Sequence, residues 1–125
     1  MDRKAVERWL ERYEQVWRTP GTERLHELFT PNASYLPSPW ARSLDGLDAV
    51  TLFWESERDG ADEGFTMSSD IVAVDGDTAV VRVEIAYAAS ESGRWRDLWV
   101  LTFAPDGRCA SFEEWPFAPT QSDGH

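Results

Sequence analysis

A single cysteine, Cys109, leaves the chain without an internal disulfide or a cysteine-cluster metal site. Histidine is nearly as scarce. His26 falls between Glu23 and Glu27 and reads as a surface residue, and His125 lies in the tail, so a histidine-based metal centre is excluded. A site of Asp and Glu alone would need several ligands at once. The expectation is therefore no metal and no cofactor. Basic charge is short as well: 12 Lys and Arg stand against 23 Asp and Glu, a formal net charge of −11. No stretch gathers Lys and Arg without acidic residues between them, which argues against a nucleic-acid surface. Nor does any apolar run approach a membrane span, and MDRKAVERWLERYEQ has a helix period rather than the apolar core of a signal peptide. These absences predict a cytoplasmic protein with no nucleic-acid or membrane partner.

What the chain does have is aromatic weight. Aromatic residues make up 13% of the sequence, seven of them Trp, within a hydrophobic fraction of 42%. A length of 125 residues supports one core. The expected organisation is a single domain over 1–119 and a disordered tail over 120–125.

The hydrophobic period changes along the chain. Val6, Trp9, Leu10, Tyr13, Val16 and Trp17 form one stripe of a first helix, which Thr19-Pro20-Gly21 stops. Thr22 is a suitable N-cap for a short second helix through Leu25, Leu28 and Phe29. A short strand follows over Ala33–Leu36. After Asp45-Gly46, Leu47, Val50, Phe53 and Trp54 mark a third helix, and DGADEG (59–64) reads as a loop.

From Phe65 the period is two. Phe65–Val74 and Asp77–Ala88 read as strands joined at Asp75-Gly76, and Arg94–Phe103 and Arg108–Phe117 as a second hairpin around Ala104–Gly107. Helices first and antiparallel strands afterwards predict an α+β fold with the helices on one face of the sheet.

The segment VVRVEIAY (80–87) is where the faces matter. Val81, Val83, Ile85 and Tyr87 share one face; Arg82 and Glu84 share the other. Two readings stand: a half-buried strand with a wet charged face, or a charged pair facing a pocket. If Asp75-Gly76 is the two-residue turn, Val74 pairs with Asp77, and Arg82 and Glu84 lie opposite Ser69 and Met67. If Ala104–Gly107 is a four-residue loop, Trp99 lies opposite Phe112 and Asp97 opposite Glu114; a shift of one would swap the faces. In that register Trp95, Asp97, Trp99, Leu101, Phe103, Phe112 and Glu114 share a face. Leu98, Val100, Cys109 and Trp115 share the other, apolar enough to predict a homodimer.

The run LFTPNASYLPSP…LDGLDAVTLFW, the VDGDTAVV hairpin and LTFAPDGRC…FEEW together resemble the nuclear transport factor 2-like superfamily, which includes ketosteroid isomerases, SnoaL-type polyketide cyclases and limonene epoxide hydrolases. The resemblance covers about Ala5 to Pro119 and lies in element order and spacing. It implies a cone: a curved antiparallel sheet wrapped around three helices, enclosing a cavity for an apolar small molecule. Against the isomerases, Tyr13 matches the helix tyrosine, but the base position falls at Pro37 and the second acid at Trp99. The epoxide hydrolases match better. Their Arg-x-Asp strand is similar to Arg82-Val83-Glu84, their last-strand Asp falls at Glu114 and their Tyr at Tyr35, while their Asn falls on Pro37. This resemblance implies that Arg82 and Glu84 line the cavity. Glu84 would then be the acid, Glu114 the base on water, Arg82 the bridge between them and Tyr35 a holder of that water. Tyr13, Phe53, Asp97, Trp99 and Phe112 would contact substrate. The expected function is a cofactor-free acid–base enzyme, epoxide hydrolase-like in its specific form. The alternatives are a hydrophobic-ligand-binding protein and a dimeric interaction module.

Overall fold

The stripe on the first helix decides how the molecule is assembled. In the computed structural model, which describes residues 1–57, 64–88, 93–121 and 124, α1 spans Arg3–Arg18 and buries Val6, Trp9, Leu10, Tyr13 and Val16. Asp2 caps it, accepting from the Ala5 amide at 2.8 Å. Arg3 and Arg18 then tie its two ends to one strand, donating to the carbonyls of Ile71 (2.7 Å) and Phe65 (2.9 Å). Trp9 donates its indole N–H to the Leu28 carbonyl at 3.0 Å, so this large ring is buried with its one polar atom satisfied.

The strands are β1 (Phe29–Leu36), β2 (Leu44–Asp45), β3 (Phe65–Asp75), β4 (Thr78–Tyr87), β5 (Arg94–Phe103) and β6 (Cys109–Phe117); α2 (Leu47–Glu57) follows β2. They form one curved, open six-stranded sheet in the order β2-β1-β6-β5-β4-β3. Only β1 and β6 run parallel; the other neighbours are antiparallel. The fold is α+β as expected, but among the described residues it has two α-helices rather than three. The segment after Thr22 forms only a single 3₁₀ turn, Leu25–Glu27. Phe29 is claimed by β1 instead, because Leu28 and Phe29 are wholly buried against the sheet and the Cys109 amide bonds to the Leu28 carbonyl at 2.7 Å. Pro31 is tolerated inside β1 because the β1–β6 ladder is interrupted between Phe29 and Ser34. The expected loop at 59–64 falls, but for Gly64, outside the described residues, as do 122, 123 and 125 of the expected tail.

Both hairpins are where the sequence placed them, with different registers. At the first, Asp75 pairs with Thr78, so the turn residues are Gly76 and Asp77. Gly76 has φ 59° and no non-glycine residue has positive φ among those described, which is the II′ pattern with glycine first. A bulge between Ile71 and Ala73 shifts the ladder again, so that Arg82 faces Asp70 and Glu84 faces Ser68. At the second hairpin Phe103 pairs with Cys109, and a bulge at Ala110 then sets Leu101 against Phe112 and Trp99 against Glu114. The net displacement is two residues, so Asp97, Trp99, Phe112 and Glu114 keep a common face. Cys109 does not stay with Ser111; the bulge turns it into the core, where burial pushes its thiol pKa up to about 12.

Candidate active site

Because Val81 pairs with Trp99 and Val83 with Asp97, the apolar side of β4 and the Asp97 side of β5 are one face, the face that α1 and α2 cover. Arg82 and Glu84 are therefore on the outer face, paired across strands with Leu98 and Arg96. Their side chains are 67% and 62% exposed and make wet ion pairs, Arg82 with Asp70 at 3.6 Å and Glu84 with Arg96 at 3.3 Å. The cavity placement that the resemblance implied for these two residues is overturned. The reason is parity: burying Val81 and Val83 obliges their alternating neighbours to face water. Replacing Arg82 by Met should accordingly change the unfolding free energy by less than ~1 kcal/mol, at pH 5 and pH 7 alike. A loss several times larger at pH 7 in denaturant titrations would put Arg82 back in a buried network.

The inner face grades from closed to open along its strands. Leu101 and Trp99 are fully buried, Asp97 is 6% exposed and Trp95 is 36% exposed. On β6, Phe112 is buried, while Glu114 and Pro116 are partly exposed; on β4, Val81 and Val83 are buried, while Ile85 and Tyr87 are partly exposed. The carboxyl groups of Asp97 and Glu114 sit at this boundary. They are diagonal neighbours, since Asp97 pairs with Pro116 and Glu114 with Trp99.

Below them lies a bed of rings. Tyr13 meets Trp99 at 4.8 Å between centroids, Trp99 meets Phe112 at 4.9 Å, and Tyr35 stacks on Phe112 at 4.5 Å with planes 7° apart. Phe53 packs on Tyr35 at 5.5 Å. Of the nine residues expected at the site, the structure thus brings together Tyr13, Tyr35, Phe53, Asp97, Trp99, Phe112 and Glu114, and leaves Arg82 and Glu84 outside. Tyr13, Trp99 and Phe112 are core residues whose edges support the carboxyl pair.

The polar atoms of this bed are few and connected. Trp99 Nε1 donates to Asp97 Oδ2 at 3.2 Å. Asp97 Oδ1 is buried and receives no hydrogen bond from a described residue. A protonated Glu114 is the group placed to supply one. Burial, the Asp97 carboxyl beside it and, more weakly, Glu57 at the end of α2 hold the Glu114 pKa well above the usual carboxylate range. Tyr13 and Tyr35 are pushed well above the ordinary tyrosine value, first by burial, then chiefly by Tyr35 for Tyr13 and by Glu114 for Tyr35. Both hydroxyls therefore stay protonated as donors. Trp54 and Glu57 were missing from the sequence-derived site. The spacing of Trp54 from Val50 on α2 marks it as an inward residue; Glu57, exposed at the helix end, carries no such mark.

A model of the SnoaL-like domain matches residues 6–112. No curated protein matches. Among solved structures, SalBIII, an epoxide hydrolase/cyclase-like enzyme with a role in pyran ring formation in the polyether salinomycin, superposes with a TM-score of 0.69 at 16% identity, covering 93% of each chain. A steroid delta-isomerase from Pseudomonas aeruginosa gives 0.64 at 17% identity, over 94% of this chain and 82% of that one. The calcium/calmodulin-dependent kinase II hub of S. rosetta gives 0.65 at 17%, over 91% and 95%. At these identities the likeness is one of fold.

Proposed function

The chain belongs to the SnoaL-like domain family, and from that premise we propose that it is a cofactor-free acid–base enzyme acting on an apolar small molecule, with Asp97 as base and Glu114 as acid. One observation carries this reading: two carboxyl groups, Asp97 accepting an indole N–H and Glu114 with its pKa raised by burial and by Asp97, meet where the packed inner face opens. Two carboxylates that cannot both ionise cheaply are ready to give and take a proton in one step. Tyr13 and Tyr35 add neutral donors that would stabilise negative charge developing on a substrate oxygen. In the epoxide-opening version, Asp97 takes the proton of the attacking water or hydroxyl, its oxygen bonds to carbon, and the carbon–oxygen bond of the ring breaks as Glu114 protonates the leaving oxygen. The fold-level likeness to SalBIII supports that version. Arg82 and Glu84 take no part in it.

A panel of apolar epoxides and hydroxy-epoxides, followed by product analysis, tests the reading. At least one should be turned over by the wild type, with Asp97→Asn lowering kcat by 10²-fold or more and leaving binding largely intact. The second reading, a binding protein without turnover, rests on the apolar side chains of Ile85, Tyr87 and Trp95, which are left partly exposed where the inner face opens. Binding across the panel with no product would favour it.

The outer face is proposed to make a homodimer. Leu98 and Val100 are half-buried there, and Trp115 (40%) and Phe117 (53%) are exposed. Cys109, turned inward, no longer belongs to this surface. Sedimentation at tens of micromolar should show a dimer that Trp115→Arg converts to monomer; a wild-type monomer would remove the proposal.

A further inference from the structure

We infer that Trp40 is a substrate-contact residue, a lid that closes over an apolar molecule seated at the carboxyl pair; this rests on the site proposed above. Trp40 stands apart from the other Trp residues. Trp9, Trp54 and Trp99 are buried, Trp17, Trp95 and Trp115 are partly covered, and Trp40 is 99% exposed. A ring that packs on nothing adds nothing to the core. Its large apolar surface is left for a ligand to cover.

The register places that ring beside the site. β1 and β6 run parallel, with Tyr35 level with Phe112 and Leu36 with Glu113. The chain therefore leaves β1 at Pro37, level with Glu114 and on the inner side that Tyr35 faces. It returns as β2, where Leu44 pairs with Tyr35. Between the two strands a β-turn forms the tip, closed by the Ala41 amide donating to the Ser38 carbonyl at 3.1 Å. Pro39 takes the second position of that turn and Trp40 the third, so the indole is carried at the tip. The foot is fastened: the Ser34 and Ser43 hydroxyls meet at 3.0 Å, and Ser43 donates to Asp45 at 3.0 Å. Pro37 and Pro39 each fix one backbone angle, so the tip turns as one piece over the end of the sheet. There the inner face opens, with Ile85, Tyr87 and Trp95 partly exposed. The loop springs from a strand end on the inner side, not from the outer face proposed for the dimer, so dimerisation leaves it free. An apolar substrate would lie between Trp40 and that rim, and closure would keep bulk water from the pair while protons move.

The full chain, labelled with 5-fluorotryptophan, is titrated with neutral N-phenyl-1-naphthylamine and followed by fluorine NMR. The Trp40 and Trp95 signals are those lost in Trp40→Phe and Trp95→Phe. Both should shift along one saturable curve, and the Trp40 signal should lose most of its shift between light and heavy water as the ring leaves solvent. Trp40→Ala should weaken probe binding about tenfold, with Trp40→Phe recovering part of the loss. Its thermal melt should match the wild type, because the ring is wholly solvated in the free protein. Binding that moves Trp95 and leaves Trp40 in water would overturn the inference, and so would the absence of saturable binding. A Trp40→Ala chain that sediments as a monomer, where the wild type is a dimer, would overturn it too, since Trp40 would then be a subunit contact. Epoxide product formed with the Trp40 signal unmoved would remove the lid and keep the chemistry. A lid that closes on the probe, with no epoxide turned over, would keep the lid and remove the chemistry.

Discussion

Trp99→Ala is expected to lower the unfolding free energy by about 3–5 kcal/mol, the range for emptying a large aromatic site in a packed interior. Trp99 is fully buried at the centre of the inner face, in ring contact with Tyr13 and Phe112 at under 5 Å. Its truncation removes more than contact area. The indole N–H is the one donor from a described residue to Asp97 Oδ2, so the variant also leaves a buried carboxyl without that partner. Trp99→Phe separates the two effects: it keeps most of the ring and loses the donor, and should cost roughly 1–3 kcal/mol. Urea titration would measure both, with the midpoint falling and the slope unchanged. Equal stability of wild type and Trp99→Phe would mean that the indole–Asp97 bond contributes nothing net.

The second large effect is a pH dependence of unusual sign for a carboxyl group. Glu114 has a folded pKa raised above its unfolded value, chiefly by burial and next by Asp97. Between those two values the folded state binds more protons than the unfolded one, so stability falls as pH rises through the window. The contribution is fully present below the ordinary glutamate pKa and is lost above the raised one. Glu114→Gln removes the titration and keeps the shape. It should therefore be more stable than wild type above the window, by on the order of 1 kcal/mol for each pH unit the window spans, and gain nothing near pH 4. Thermal melts across pH 4–9 would show the two curves diverging upward in pH. Parallel curves would mean that Glu114 titrates in water like any surface glutamate. The same substitution removes the proposed acid, so a gain in stability with a loss of turnover is the expected trade.

How much of this was legible in the sequence differs by kind of signal. The α1 stripe needed only the 3.6-residue period, and Val6 to Val16 went where it pointed. The Asp75-Gly76 signal found its hairpin but misplaced the turn by one residue, because glycine took the first central position. Asp97 and Glu114 were put on one face for a register that is not the actual one. The bulge at Ala110 and the longer turn shifted the pairing by two, which preserves the face. Arg82 and Glu84 failed for the complementary reason. Their local pattern left both faces open, and the family likeness chose the charged side; the β4–β5 pairing, which no short-range motif encodes, put Val81 against Trp99 instead. The short second helix failed because its Leu28 and Phe29 were equally good material for a strand start, and tertiary burial decided between them.

The central claim, that burial and the neighbouring Asp97 hold the Glu114 pKa well above that of an ordinary glutamate, is tested most directly by carboxyl-carbon NMR titration of the chain labelled at glutamate Cδ. One glutamate should titrate well above the rest, and that signal should be absent in Glu114→Gln. In Asp97→Asn its midpoint should move partway down, because burial remains when the neighbouring charge is gone. If every glutamate titrates in the ordinary range, or if the high-titrating signal is unmoved by Asp97→Asn, the two carboxyl groups do not form the acid–base pair.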